Sequence, residues 1–226
     1  MRKWLNALER KLYRYNIPPI MKYIVFAMGG VFALDLLLGM TTAYTSRVNL
    51  ISYLTLDIPL VLRGQVWRLV TWLFVPQQNS MLWMLISLYF YYMIGTTLEN
   101  RWGARRFLIY YVIGAIANII GAFIAHALTG YGYGVNTFLY YSLFLAFAAL
   151  YPDMQFLLFF FLPVKAKWLA RIDILYFLMA IITGGANLRM AAIASLVNVA
   201  LFFGEDLYQL GRRVYFQWQR KRQWRQ

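Results

Sequence analysis

Met81–Leu98 and Phe107–Leu128 are two apolar runs without a formal charge, and only eight residues, three of them arginines, separate them. Runs of this length match a helix crossing of ~20 residues, and a soluble domain has no place to bury two of them back to back. Composition agrees. The 226 residues are 62% hydrophobic, 19% aromatic and 13% charged, against about 25% charged in a soluble globular domain. The same apolar content excludes disorder. The chain therefore reads as an all-α polytopic membrane protein.

A first span covers Tyr23–Met40, and three weaker ones follow near Thr137–Tyr151, Ile174–Ala186 and Met190–Gly204. Ahead of them, residues 1–22 carry Arg2, Lys3, Arg10, Lys11, Arg14 and Lys22 and lack a compact apolar stretch. They read as a basic amphipathic segment lying on the membrane, not as a signal peptide. Met154–Val164 is intensely apolar but too short to cross, so it is assigned to the interface or the interior. Charge supports that choice. With six spans and the N-terminus inside, 18 of the 22 lysines and arginines fall inside, leaving Arg47, Arg63, Arg68 and Arg189 outside. A seventh span would put the cationic tail, 209–226, on the wrong side. The domain division is then 1–22, a membrane domain over 23–208, and that tail.

The net charge of +14 is thus explained by orientation and attraction to anionic lipid. Trp218 and Trp224 among the tail arginines would suit stacking on nucleic acid, but such residues beside a last span are common interfacial anchors. A cytoplasmic protein partner at the tail remains an alternative. Cysteine is absent and His126 is the single histidine. No thiol chemistry, metal-ligand spacing, phosphate-cradling loop or paired carboxylate is present, so no cofactor or metal is expected.

The loop Thr41–Ser80 is long and apolar, and should carry structure of its own near the interface. It contains Trp67 and Arg68 in GQVWRLVTWLF. There a guanidinium can bond backbone carbonyls while tryptophan anchors at headgroup depth. The following span ends in GTTLENRWGARRFLIYY, with Gly95, Glu99 and Gly103 at intervals of four. In order and spacing, these motifs resemble the rhomboid superfamily of intramembrane proteases and its inactive relatives, the Derlins among them. The resemblance runs from Gly64 to the end of the last span and implies a six-helix bundle.

Active rhomboids use a serine in a Gly-x-Ser-Gly turn opening the fourth span and a histidine on the sixth. A serine hydroxyl needs such a base and oxyanion donors to attack a peptide. Here the turn is Gly134-Val135-Asn136-Thr137, with Asn136 at the nucleophile position. The base position falls on Ser195, within Ser195–Asn198, and the oxyanion pair of the second span falls on Trp83 and Ser87. The resemblance therefore implies a pseudoprotease that binds transmembrane or misfolded membrane clients, with local bilayer thinning by short spans. Trp83, Ser87, Asn136, Thr137, Ser142, Ser195 and Asn198 are the candidate recess for such clients.

Two alternatives stay open. A rebuilt protease would draw on Thr137, Ser142 and His126, and a transporter or channel would draw on Asp35, an acid within the first span. Packing is the plainer reading of Ser142-x-x-x-Ala146, Ala191-x-x-x-Ser195 and Ala117-x-x-x-Gly121-x-x-x-Ala125, and of Asn118, Asn187 and Asn198 as interhelical hydrogen-bond donors. The short, basic-ended design favours a bacterial inner membrane, with the endoplasmic reticulum as the rival and both termini cytoplasmic.

Overall fold

The computed structural model describes residues 9–10, 12, 14, 17–41, 50–77, 80–158 and 162–223. Helix α1 is Met21–Thr41. The loop after it holds three short helices, α2 (Leu50–Leu54), α3 (Ile58–Leu62) and α4 (Arg68–Thr71), and a 3-10 turn at Trp72–Phe74. Then come α5 (Met81–Trp102), α6 (Ala104–Thr129) and α7 (Thr137–Leu150). A hairpin of β1 (Gln155–Leu158) and β2 (Leu162–Lys165) leads into α8 (Ala166–Thr183) and α9 (Ala186–Gln223).

Four of these helices are long and apolar enough to cross a membrane: α1 over Met21–Gly39, α5, α6, and α9 over Ala186–Gly204. The protein is an all-α membrane protein with one small hairpin. Helix α7 is apolar throughout but has 14 residues, a length of about 21 Å against a hydrocarbon core of about 30 Å. Helix α8 has 18 residues, three of which, Lys167, Arg171 and Asp173, are charged.

Helix α7 forms the centre. Unlike the apolar α1 and α5, which leave most of their surface uncovered, it is enclosed by protein: Phe138–Tyr140 and Ser142–Ala148 are all buried. Helices α5, α6, α8 and α9 pack around it. The longest contact in the bundle runs between α6 and α9. Small residues permit it: Gly121 lies against the Met190 backbone, and Ala125, Ala191 and Ala192 are buried nearby.

Several boundaries differ from expectation. The apolar run after α7 is an antiparallel pair with Phe156 opposite Val164. Phe156 inserts under the bundle, with ring centroids 5.3 Å from Phe90 and 5.6 Å from Phe147. Helix α8 begins at Ala166, eight residues before the expected Ile174, because Lys167, Arg171 and Asp173 lie on a helix and not in a loop. Helix α9 begins at Ala186 and continues through the basic tail to Gln223, since no proline or glycine pair interrupts it after Gly204. Most of the expected amphipathic segment over 1–22 lies outside the described residues.

Candidate functional site

The C-terminal end of α5 shows how the sequence motif works. Glu99 is buried, and one carboxylate oxygen accepts the Ile20 backbone N–H at 2.6 Å. Ile20 is the residue whose carbonyl accepts the first helical bonds of α1, from Tyr23 and Ile24. A carboxylate at that helix start satisfies an orphan donor and suits the helix dipole. One turn earlier, Gly95 faces Met21, and any Cβ there would overlap the Met21 side chain. Gly103, with φ +84°, reverses the chain into α6. Beside this turn is a cleft of about 270 Å³ lined in part by Ile17, Trp102 and Arg106. The Arg106 guanidinium lies 3.7 Å from Glu9.

The loop is organised by Arg68, which is 3% exposed. Its guanidinium donates to the carbonyls of Ser52 and Thr55 at 2.7 Å each and to Gln65 Oε1 at 2.7 Å. Thr71 donates to the Leu54 carbonyl from the same side. Trp67 is half-exposed and donates to the Tyr53 carbonyl at 3.3 Å. Arg68 thus fastens α2 to α4, and the loop presents Tyr53, Leu62, Val66, Trp67 and Val70 outward.

Asn136 stands at the start of α7, where its amide is fully engaged. Its Nδ2 donates to the carbonyls of Trp72 and Val75 at 3.0 and 2.9 Å. Its Oδ1 accepts from Gln77, whose own Oε1 accepts the Tyr91 hydroxyl. One amide therefore ties α7 to the end of the first loop. Thr137 is half-buried beside it. Deeper in the same helix, the Tyr140 hydroxyl donates to the Leu73 carbonyl at 2.8 Å and meets Tyr111 at 3.3 Å. Ser142 is fully buried and donates to Leu139 of its own helix at 2.7 Å.

Ser195 belongs to a different seam. It is fully buried on α9 and accepts from Asn118 of α6 at 3.1 Å. Asn118 also donates to the Gly114 carbonyl, and Asn198 donates to the Tyr110 carbonyl at 3.2 Å. Asn187, in the first turn of α9, closes that end of the seam by accepting the Tyr133 N–H at 3.0 Å. The residues expected to form one recess are therefore distributed. Asn136 is bonded to the loop, Ser195 and Asn198 to α6, and Ser142 to its own helix. On α5, Trp83 is 53% exposed on the outer face and Ser87 is half-buried. His126 packs against Gly132 near the end of α6, with Nδ1 buried and without a partner. Asp35 is half-buried between the exposed Leu34 and Leu36. Among the described residues, no cluster of three His, Asp or Glu could hold a metal ion.

Two residues escape a reading of the sequence. Gln77 is the link between Asn136 and Tyr91, and only the folded loop places it there. Asp173 is buried in α8, with its Oδ2 lacking a hydrogen-bond partner. A lone acid in the run LARIDILYFLMAIIT is the available signal, and a span taken to start at Ile174 leaves it just outside.

No curated protein is significantly similar to the chain. A family model described as eukaryotic integral membrane protein matches residues 26–204, from within α1 to the end of the apolar part of α9. This overturns the expected bacterial inner membrane. Basic segments beside spans orient a helix against the anionic cytoplasmic face of either kind of membrane, so the charge pattern does not discriminate between them. The match covers most of the chain and reaches into every long helix, and the protein belongs to the eukaryotic integral membrane protein family DUF1751.

Proposed function

We propose that this protein is a rhomboid-like, six-crossing scaffold that binds transmembrane or misfolded membrane clients and does not cleave them. The observation that carries the reading is the use made of Asn136. At the position where a rhomboid keeps its nucleophile, all three hydrogen-bonding contacts of the side chain go to the loop, to Trp72, Val75 and Gln77. Ser195, at the base position, is likewise spent on Asn118. These groups hold helices together.

The spans counted as fourth and fifth are α7 and α8. The charge-free part of α8, residues 174–183, is short and faces outward, so it draws the bilayer inward beside it, and each ångström of mismatch costs a fraction of a kcal/mol. Helices α5 and α8 both pack on α7 and flank it. Their outward faces carry Trp83, Ile86, Leu175, Tyr176 and Met179. A client helix with poor fit to a full-thickness bilayer gains by lying against the outward face of α8 in the thinned zone. Anchoring by the basic tail and the apolar loop fixes the depth at which this happens.

The experiment is co-isolation from crosslinked native membranes. Enrichment of proteins with marginally hydrophobic transmembrane segments supports client binding. Recovery of lipid and no membrane protein above a mock isolation rejects it.

A further inference from the structure

Asp173 is a buried acid that the fold leaves without an ion pair among the described residues. Glu99 accepts Ile20, Asp57 accepts Leu60, and Asp153 pairs with Lys165 and Lys167. Asp173 is 9% exposed, its Oδ2 is buried without a partner, and it has no ion pair among the described residues. Along α8 it forms one stripe with Phe177 and Ala180, all buried, and this stripe faces α7. Phe177 meets Phe138 in the first turn of α7 at 5.2 Å. One turn inward, Asp173 is level with Tyr141, with which it interacts electrostatically. Tyr141 and Tyr176 stand edge to face at 5.5 Å, and Tyr176 is 47% exposed. Tyr141 borders Asp173 on the seam, and Tyr176 carries the seam to the exposed surface. Trp168, with Arg171 stacked 4.2 Å from its ring, marks the end of α8 next to Lys165 and Lys167. Asp173 is the eighth of the 18 residues of α8, two residues beyond Arg171.

A leucine in this stripe would pack against α7 at no electrostatic cost, whereas an ionisable group inside a membrane bundle without a partner is expensive. Carboxylate chemistry selects what relieves that cost: a cation or strong donor arriving from the side. We propose that Asp173 recognises clients, pairing with a lysine or arginine in the middle of a transmembrane helix that docks along the α7–α8 seam past Tyr141 and Tyr176. A lysine at that depth is poorly served by lipid, and both partners gain by meeting. This assignment rests on the client-binding reading and names the chemical class of client.

The test uses the full chain in phosphatidylcholine liposomes, with p-benzoylphenylalanine in place of Leu175, which is 59% exposed beside the seam. Synthetic leucine–alanine transmembrane peptides carry a central lysine or a central leucine. The lysine peptide should be captured roughly three- to tenfold better, the range expected of one polar contact between helices in a membrane. Asp173→Asn should abolish that preference without reducing capture of the leucine peptide, and Asp173→Glu should retain it. Melting in detergent should be unchanged or higher in Asp173→Asn. A fall would assign Asp173 a structural role and overturn the proposal. Equal capture of both peptides by the wild type, or a preference that survives Asp173→Asn, overturns the proposal and leaves client binding intact. Failure to capture either peptide overturns both.

Discussion

The Glu99 carboxylate at the end of α5 caps the start of α1 from 79 residues away, through its 2.6 Å bond with the Ile20 N–H. Gly95 receives Met21 one turn above. Two of the motif's three spaced residues thus form a socket for the first span, and the third, Gly103, turns the chain toward α6.

This socket has separable parts. Glu99→Ala leaves the Ile20 N–H unpaired at a part-buried site and should cost about 1 kcal/mol, whereas Glu99→Gln keeps an acceptor and should cost less. Gly95→Ala should destabilise by about 1–3 kcal/mol through overlap with Met21. Met21→Ala in the same chain should restore part of that loss. Thermal melting in detergent measures all four. Additive losses in the Gly95 and Met21 pair would contradict direct packing between them.

Arg68→Ala leaves the Ser52 and Thr55 carbonyls without their donor, again at about 1–3 kcal/mol. Arg68→Lys should recover little, because one ammonium does not reproduce a planar fork with several bonds. Limited proteolysis should cut the loop near α2 faster in both variants. An unaltered cleavage pattern would mean that the guanidinium does not hold α2 to α4.

Hydrolysis should be absent. The purified protein should not react with a fluorophosphonate probe, and Asn136→Ser should not become reactive. That substitution loses the bonds to Trp72, Val75 and Gln77 and gains no base, since Ser195 is occupied by Asn118. It should instead lower the melting temperature. Labelling of the wild type at Thr137 or Ser142 would mean that a nucleophile persists on α7.

The hairpin junction should respond to pH in one direction. The hydrogen bond and charge of Lys167, with Lys165 behind it, hold the Asp153 carboxyl below the usual carboxylate range. A lowered value means the contribution is complete at neutral pH and is lost as pH falls through the depressed value, below the usual carboxylate range. Hydrogen exchange at Ala166 and Lys167, whose N–H groups bond Met154 and Pro152, should quicken only in that acidic window. Asp153→Asn should remove the dependence.

The cysteine-free sequence permits a direct count of crossings. Single cysteines at Asn100 and Asp153 should label from the cytosolic side, and those at Arg63, Tyr131 and Gly185 from the other. Asp153 labelling together with Tyr131 would mean that α7 does not cross, leaving the four long helices as the spans.

The sequence makes α5 and α6 plain because nothing charged interrupts either run. It hides the start of α8, because Lys167, Arg171 and Asp173 resemble a loop until the helix places Asp173 inward and Arg171 over Trp168. It also hides the hairpin. MQFLLFFFLPV has no alternation of polar and apolar residues, since Phe156 is buried under Phe90 and Phe147 on one side and membrane favours apolar residues on the other. At the site, the need of Arg68 for carbonyl acceptors is legible from its chemistry. That the acceptors are Ser52 and Thr55 is not, nor that Asn136 reaches Trp72 and Val75, because those partners are fixed by the path of the loop. Periodicity says nothing of which buried serine meets which asparagine, so the sequence suggests a single recess where the fold has two seams.

Client binding without cleavage is tested most directly by the mass of what is captured on the outward faces of α5 and α8. Photocrosslinkers at Trp83 and Tyr176 stand on those faces, and one at Ile120, exposed on α6, serves as the reference. In native membranes, adducts are expected at Trp83 and Tyr176 and few at Ile120, each with the mass of an intact transmembrane protein. Truncated adducts would show a protease, and equal yields at all three positions would show contact with bulk membrane and no client site.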